Sequence, residues 1–329
     1  MAISTDSPVL AEVIRSGFTE SCHRGPLVGL AADGRPVVQA GAVIEPIFPR
    51  SSNKPLQAAA MVGCGLDLQG KLLALAAASH SGEEFHVAGA REILARAGLT
   101  EDDLQCPPGL PIDGPTLHAL LRRGGEADRV HHNCSGKHAA MLATCVAAGW
   151  PTATYRDPAH PLQVEIRRTV ERLSGEPVTA VGVDGCGAPI FSLTVTGLAR
   201  AFRAMVLANP GSPVRAVADA MRAYPDWTSG TTRPERKLME AVPGLLLKSG
   251  AEGVEAFALA DGRAGAFKFE DGEGRARPPV TVALLGELGA ADEPGVNVAA
   301  LRAVGDVAVL GGGERVGEIR PVLDRYRIT

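Results

Sequence analysis

Apolar and polar positions near the start of the chain follow the short period of strands. Residues 9–18 read as one strand, and 26–32 and 36–42 as two more joined by an Asp33-Gly34 turn. A second hairpin is expected over 254–260 and 264–270 around Asp261-Gly262, and the Leu245-Leu246-Leu247 run reads as a strand that ends in Lys248. Between these hairpins the spacing becomes helical. Helices are expected at 52–63, 83–98, 116–123, 136–149, 161–174 and 197–209. Another opens at Ser212-Pro213 and stops before Pro225, and a last one covers 280–288. The 161–174 element shows the period well, with Leu162, Ile166, Val170 and Leu173 on one stripe.

This order predicts an α/β (α+β) fold: an antiparallel sheet built from both chain ends, flanked by helices and carrying a mostly helical insertion at roughly 84–180. Its 329 residues suffice for one domain with a sizeable core. The 63 glycines and prolines imply many loops, but their dispersal marks no linker.

Charge narrows the function classes. With 33 basic against 37 acidic residues the net charge is -4, which argues against a general nucleic-acid binder. No apolar run reaches the roughly 20 residues of a membrane span. The leading residues lack a basic start and an apolar stretch, so a cytoplasmic location is expected, with Cys22, Cys64, Cys106, Cys134, Cys145 and Cys186 as thiols. Only six of the basic residues are lysine: Lys54, Lys71, Lys137, Lys237, Lys248 and Lys268. In a chain that writes arginine for surface charge, lysine marks places where an amine that can lose its proton is useful.

Several strings could carry chemistry. Arg50-Ser51-Ser52-Asn53-Lys54-Pro55 puts a hydroxyl and an amine one helical turn apart, where a neutral lysine can deprotonate Ser51. The same Ser-x-x-Lys spacing occurs in penicillin-recognising enzymes, and also as a plain N-cap followed by a surface lysine. Ala78-Ser79-His80-Ser81-Gly82-Glu83 reads as a helix cap unless partners reach it. Lys248-Ser249-Gly250 ends an apolar strand, so Lys248 is partly desolvated and its pKa lowered, or else reaches water. Cys134, in Asn133-Cys134-Ser135-Gly136-Lys137-His138, lies at a helix N-terminus. Cys186 lies in Asp184-Gly185-Cys186-Gly187-Ala188-Pro189. The two thiols could share zinc with His80, His131, His132, His138 or Lys137; they could equally be buried thiols, or Cys134 a nucleophile with a histidine base.

In this order the strings resemble the Rhizobium-type L-asparaginases, the third or thermolabile class, also called the asparaginase II family. R-S-S-N-K-P, A-S-H-S-G-E, C-S-G-K-H, D-P-A-H-P-L-Q, D-G-C-G-A-P and G-L-L-L-K-S-G run over nearly the whole chain. The resemblance implies hydrolysis of L-asparagine to L-aspartate and ammonia, a fold similar to serine β-lactamases and glutaminases, and a homodimer. It implies two Ser–Lys pairs, Ser51 with Lys54 and Ser79 with Lys248, and a zinc site of Cys134, Lys137 and Cys186. Arg50 and Asp184 would line the substrate pocket. Thr231-Thr232-Arg233-Pro234-Glu235 departs from the more glycine-rich segment expected there. Two rivals remain: a penicillin-recognising serine acyl hydrolase or glutaminase, and a zinc- or thiol-dependent regulator.

Overall fold

Residue pairs with positive φ set the first turn. Ser16 (φ 49°) and Gly17 (φ 81°) form the tight connection that right-twisted strands need, so 9–18 is not one strand but the start of a hairpin. The structure, a computed structural model, describes residues 7–328. The leading residues, on which the absence of an export signal was read, lie outside the described residues.

The chain opens with β1 (Val9–Arg15), β2 (Phe18–Arg24), β3 (Leu27–Leu30) and β4 (Pro36–Ala40). Four short strands follow in the middle: β5 (Pro46–Ile47), β6 (Val181–Val183), β7 (Pro189–Phe191) and β8 (Leu193–Thr194). Late in the chain come β9 (Leu246–Ser249), β10 (Val254–Ala258), β11 (Ala264–Lys268), β12 (Ala308–Gly311) and β13 (Glu314–Pro321). Two antiparallel sheets result, ordered β12-β13-β1-β2 and β4-β3-β11-β10-β9. Each mixes strands from both ends of the chain, as the pattern predicts, with Ala11 opposite Pro321 and Leu30 opposite Ala264.

The helices are α1 (Lys54–Gly63), α2 (Gly70–Ala76), α3 (Glu84–Arg96), α4 (Gly114–Arg122), α5 (Ser135–Ala148), α6 (Pro161–Ser174), α7 (Val195–Leu207), α8 (Pro213–Ala223), α9 (Pro225–Thr228), α10 (Pro234–Ala241), α11 (Arg277–Glu287) and α12 (Val298–Gly305). The 84–180 stretch holds α3 to α6. The start of α8 follows capping chemistry: Ser212 Oγ accepts from the Arg215 amide and Pro213 takes the first position. Before α1 the chain makes a 3-10 turn over Arg50–Asn53, so that helix begins at Lys54 rather than at Ser52.

The five-stranded sheet separates two apolar layers. Val28, Leu246, Ala256, Ala258 and Ala266 face α1, α2 and α5 to α8, whereas Leu27, Leu247, Phe257 and Phe267 face α10 to α12. Gly25 joins β2 to β3 where the chain crosses the end of β11. A Cβ there would lie 1.9 Å from the Lys268 carbonyl oxygen, and its φ is +154°. Gly25→Ala is expected to cost about 3 kcal/mol, seen as a lower urea midpoint at unchanged slope.

Candidate active site

Lys54 is the centre of the site. The 3-10 turn before it places Arg50 in the left-handed region (φ 52°), a conformation that for a residue with a side chain costs about 1–3 kcal/mol and clusters at functional sites. The turn is pressed against the end of β9: a Cβ on Gly250 would sit 2.6 Å from the Pro49 carbonyl oxygen. Lys54 then points inward from α1 and is 1% exposed. Its amine donates to the Ala78 carbonyl at 2.6 Å, and lies 2.9 Å from Ser79 Oγ and 3.1 Å from Cys134 Sγ. The Lys54 backbone amide donates to the Ser51 carbonyl, but among the described residues no hydrogen bond joins the Lys54 amine to the Ser51 hydroxyl, the partner its spacing suggests. Ser51 and Ser79 are both half-buried.

Ser79 leaves α2, the buried helix that the 72–78 apolar run forms. Its neighbour His80 is fully buried, accepts the Gly82 amide on Nδ1 at 3.1 Å, and so carries its proton on Nε2, which donates to Ser135 Oγ at 2.9 Å. Burial holds this imidazole well below its ordinary pKa. The bond ties the Ser79 turn to the first turn of α5, where Cys134 caps the helix.

Cys134 and Cys186 meet in a small buried cluster with Ala188. Lys137 Nζ donates to Cys186 Sγ at 3.0 Å. The Cys186 thiol is held below its ordinary range by the adjoining Cys134 thiol and by the Lys137 ammonium, while Cys134 Sγ itself lies 3.1 Å from Asn133 Oδ1. Cys134 is pushed up correspondingly, by its bond to Cys186 and by burial. Burial opposes the Lys137 charge, but the two sulfurs outweigh it and hold this amine above its ordinary range. His138, whose Nδ1 lies 2.6 Å from the Tyr155 hydroxyl, is lowered to about 4 by burial. Its Nε2 is buried without a hydrogen-bond partner among the described residues.

Lys248 enters from β9, 3% exposed, and its amine donates to the Ser249 carbonyl at 2.8 Å rather than to Ser79. Burial and the nearby Lys54 lower its pKa to about 7. At the mouth, Arg50 Nε donates to Asp184 Oδ1 at 2.7 Å, and Arg50 also lies 3.5 Å from Glu252. Opposite the Ser79 turn, Glu83 clasps the departing segment: Thr231 donates its amide at 2.8 Å and its hydroxyl at 2.7 Å. Sequence reasoning singled out the segment, but not Glu83 as its anchor.

Half-buried serines beside buried lysines, with the Arg50–Asp184 ion pair nearby, are residue types that acyl transfer can use. The family comparison supplies the particular case. Residues 11–321 match the family described as L-asparaginase II, and the chain belongs to that amidohydrolase family. Among curated proteins none matches the chain in sequence. Among solved structures, Mglu in the presence of 4.3 M NaCl is 15% identical over 85% of this chain, with a TM-score of 0.41. The chain spans 59% of the length of that protein. A β-lactamase from Mycobacterium bovis is 14% identical over 80% of this chain and 94% of its own, with a TM-score of 0.43. One from Burkholderia vietnamiensis is also 14% identical, over 82% and 94%, with a TM-score of 0.37.

Proposed function

We propose that the protein hydrolyses the side-chain amide of L-asparagine by Ser–Lys catalysis. The observation that carries this reading is the buried Lys54 amine 2.9 Å from the hydroxyl of the half-buried Ser79, with the Arg50–Asp184 pair nearby. A serine oxygen attacks the amide carbon, and its proton passes to the Lys54 amine acting as base. The C–N bond then breaks, and the proton is delivered to the departing nitrogen as ammonia forms. Water, deprotonated by the same amine, cleaves the acyl-serine and restores the enzyme. Ser51 and Ser79 both flank Lys54, one through the chain and one through space. Lys248, neutral above pH 7, takes up a proton in the same shuttle.

The Arg50–Asp184 pair suits a free amino-acid head. Only one oxygen of Asp184 and one nitrogen of Arg50 bond each other, so the other oxygen can meet an ammonium and the guanidinium edge a carboxylate. Asp184→Asn is expected to raise KM for asparagine at least about tenfold with a smaller effect on kcat, because this contact serves ground and transition states alike.

Cys134, Lys137 and Cys186 would hold zinc, by resemblance to the family. The residue types suit a soft divalent ion, two cysteines and a lysine whose amine is 3.0 Å from Cys186 Sγ, provided that binding displaces the protons of Cys134 and Lys137. Among the described residues no group of three or more His, Cys, Asp or Glu could hold a metal, and Lys137 as third ligand is what the resemblance implies. Zinc, when bound, would polarise or orient the polar groups of the substrate. Elemental analysis after incubation with excess zinc is expected to find about one ion per chain in the wild type and much less in Cys186→Ser. No zinc in either removes the metal from this reading.

The test of function is ammonia release from L-asparagine across pH 6–10, compared with L-glutamine, simple amides and a chromogenic β-lactam. Asparagine is expected to be preferred. Glutamine differs by one methylene, worth only ~1–3 kcal/mol of discrimination. Ring opening of the β-lactam without ammonia from asparagine would overturn the proposal in favour of a penicillin-recognising hydrolase. A homodimer in the cytoplasm completes the proposal by resemblance, and light scattering checks the assembly.

A further inference from the structure

Lys248 is held from a side of the sheet that the substrate does not reach. Neighbours along β9 point to opposite faces: Leu246 and Lys248 toward the pocket layer, Leu247 and Ser249 toward the layer under α10 and α11. Glu255 pairs with Ser249 across the ladder and shares its face. There a chamber of about 110 Å³ is lined by Arg233, Glu235, Ser249, Glu255, Gly274 and Arg277. Ser249 Oγ donates to Glu235 Oε1 at 2.6 Å, and Arg233 Nη2 donates to the same oxygen at 3.0 Å. Arg277 donates to the Gly250 carbonyl at 2.9 Å. Glu235 Oε2, Glu255 Oε2 and Arg233 Nε are buried without a hydrogen-bond partner among the described residues, although Arg277 lies 3.9 Å from Glu255 Oε2. Ser249 therefore faces both ways: its carbonyl takes the Lys248 amine, and its hydroxyl is gripped by Glu235.

We propose that Glu235 is a positioning residue for Lys248, fixing through the Ser249 hydroxyl the carbonyl on which that amine rests. The geometry also explains why a carboxylate is kept 5% exposed, a placement that costs several kcal/mol unless compensated. Burial would push Glu235 up, but the Arg233 and Arg277 guanidiniums hold it at about 2. Four charged groups act on Lys248: Lys54 from α1, Arg233 from the loop before α10, Glu235 from α10 and Glu255 from β10. Glu235 and Glu255 favour the ammonium form; Lys54 and Arg233 oppose it. Burial raises Glu255 to about 7, so Glu235 is the standing negative charge of the chamber near neutrality. The inference rests on Lys248 serving the proposed amidohydrolase reaction.

Six lysines make a ¹³Cε-lysine NMR titration tractable, with Lys248 assigned by its absence from Lys248→Arg. Glu235→Gln keeps a hydrogen-bond acceptor for Ser249 and removes the charge. Its Lys248 curve is expected to move to lower pH by about half a unit or more, and the acid limb of kcat with it. Ser249→Ala keeps every charge and cuts the link. It is expected to lower kcat about tenfold at nearly unchanged KM, and Glu235→Gln added to it should cost little more. A Lys248 curve unmoved in Glu235→Gln, or a wild-type kcat in Ser249→Ala, overturns the proposal. Wild-type protein that releases no ammonia from asparagine sinks the functional reading instead, and a moved Lys248 curve in Glu235→Gln would then still support the positioning role.

Discussion

Lys54→Met is expected to reduce kcat for L-asparagine at least about a thousandfold, roughly 4 kcal/mol of transition-state stabilisation. Methionine fills much the same space but can neither accept a serine proton nor return it. The loss should be shared: Ser79→Ala in the Lys54→Met background is expected to add little, because hydroxyl and amine act as one unit. Ser51→Ala tests the other flank. Whichever serine forms the acyl intermediate will, as alanine, abolish its trapping at low temperature; the other will slow its appearance without preventing it. A Lys54→Met enzyme that keeps more than about a tenth of wild-type kcat would mean that the amine 2.9 Å from Ser79 is not the base.

The second large effect concerns Lys248. Its pKa of about 7 lies far below that of an exposed lysine, because burial and Lys54 penalise the ammonium. Activity that needs the neutral amine should therefore rise through pH 7 and level off above it. Lys248→Met is expected to lose about a hundredfold in kcat and to lack that limb. The same residue affects stability in a defined direction. Its folded pKa is lower than its unfolded one, so between about 7 and 10.5 the unfolded chain binds more protons and stability increases with pH. Below pH 7 the full penalty of burying the charge is felt. Lys248→Met should thus raise the urea midpoint more at pH 6 than at pH 10. An equal change at both would show that the buried ammonium carries no such penalty.

The elements that could be read from the sequence were those with one strong local signal. The hairpins around Asp33-Gly34 and Asp261-Gly262 appear as expected, and Pro161–Ser174 keeps its expected bounds. The others lacked such a signal. In β2 most side chains are exposed, so Phe18–Arg24 shows no apolar alternation and its hairpin rests on the Ser16-Gly17 turn alone. The polar α10 announces itself only by Pro234. The 72–78 run shows the opposite problem: wholly buried, it has no polar face to reveal the helical period of α2.

The site followed the same division. Its strings were recognisable because each is a short local motif, but their pairing is a tertiary matter. One helical turn separates Ser51 from Lys54 in sequence, yet Ser51 belongs to the 3-10 turn and the Lys54 amine runs inward to Ser79. Glu235 was visible only as part of an unusual segment, since its bond to Ser249 depends on how α10 packs on β9.

Because the sheets join opposite ends of the chain, the order of synthesis bears on when the enzyme can work. Ala11 leaves the ribosome long before Pro321, its partner across the ladder. At ~5–20 residues per second that interval is on the order of tens of seconds. Helices α1 to α8 are all made before β9 and can meanwhile pack on one another, so Lys54, Ser79 and the thiol pair can gather early. The β9 strand with Lys248 comes later, and β1 keeps an open edge until β13 arrives. On the proposed mechanism a nascent chain therefore holds Lys54 and Ser79 without Lys248, and turnover begins only near the end of translation.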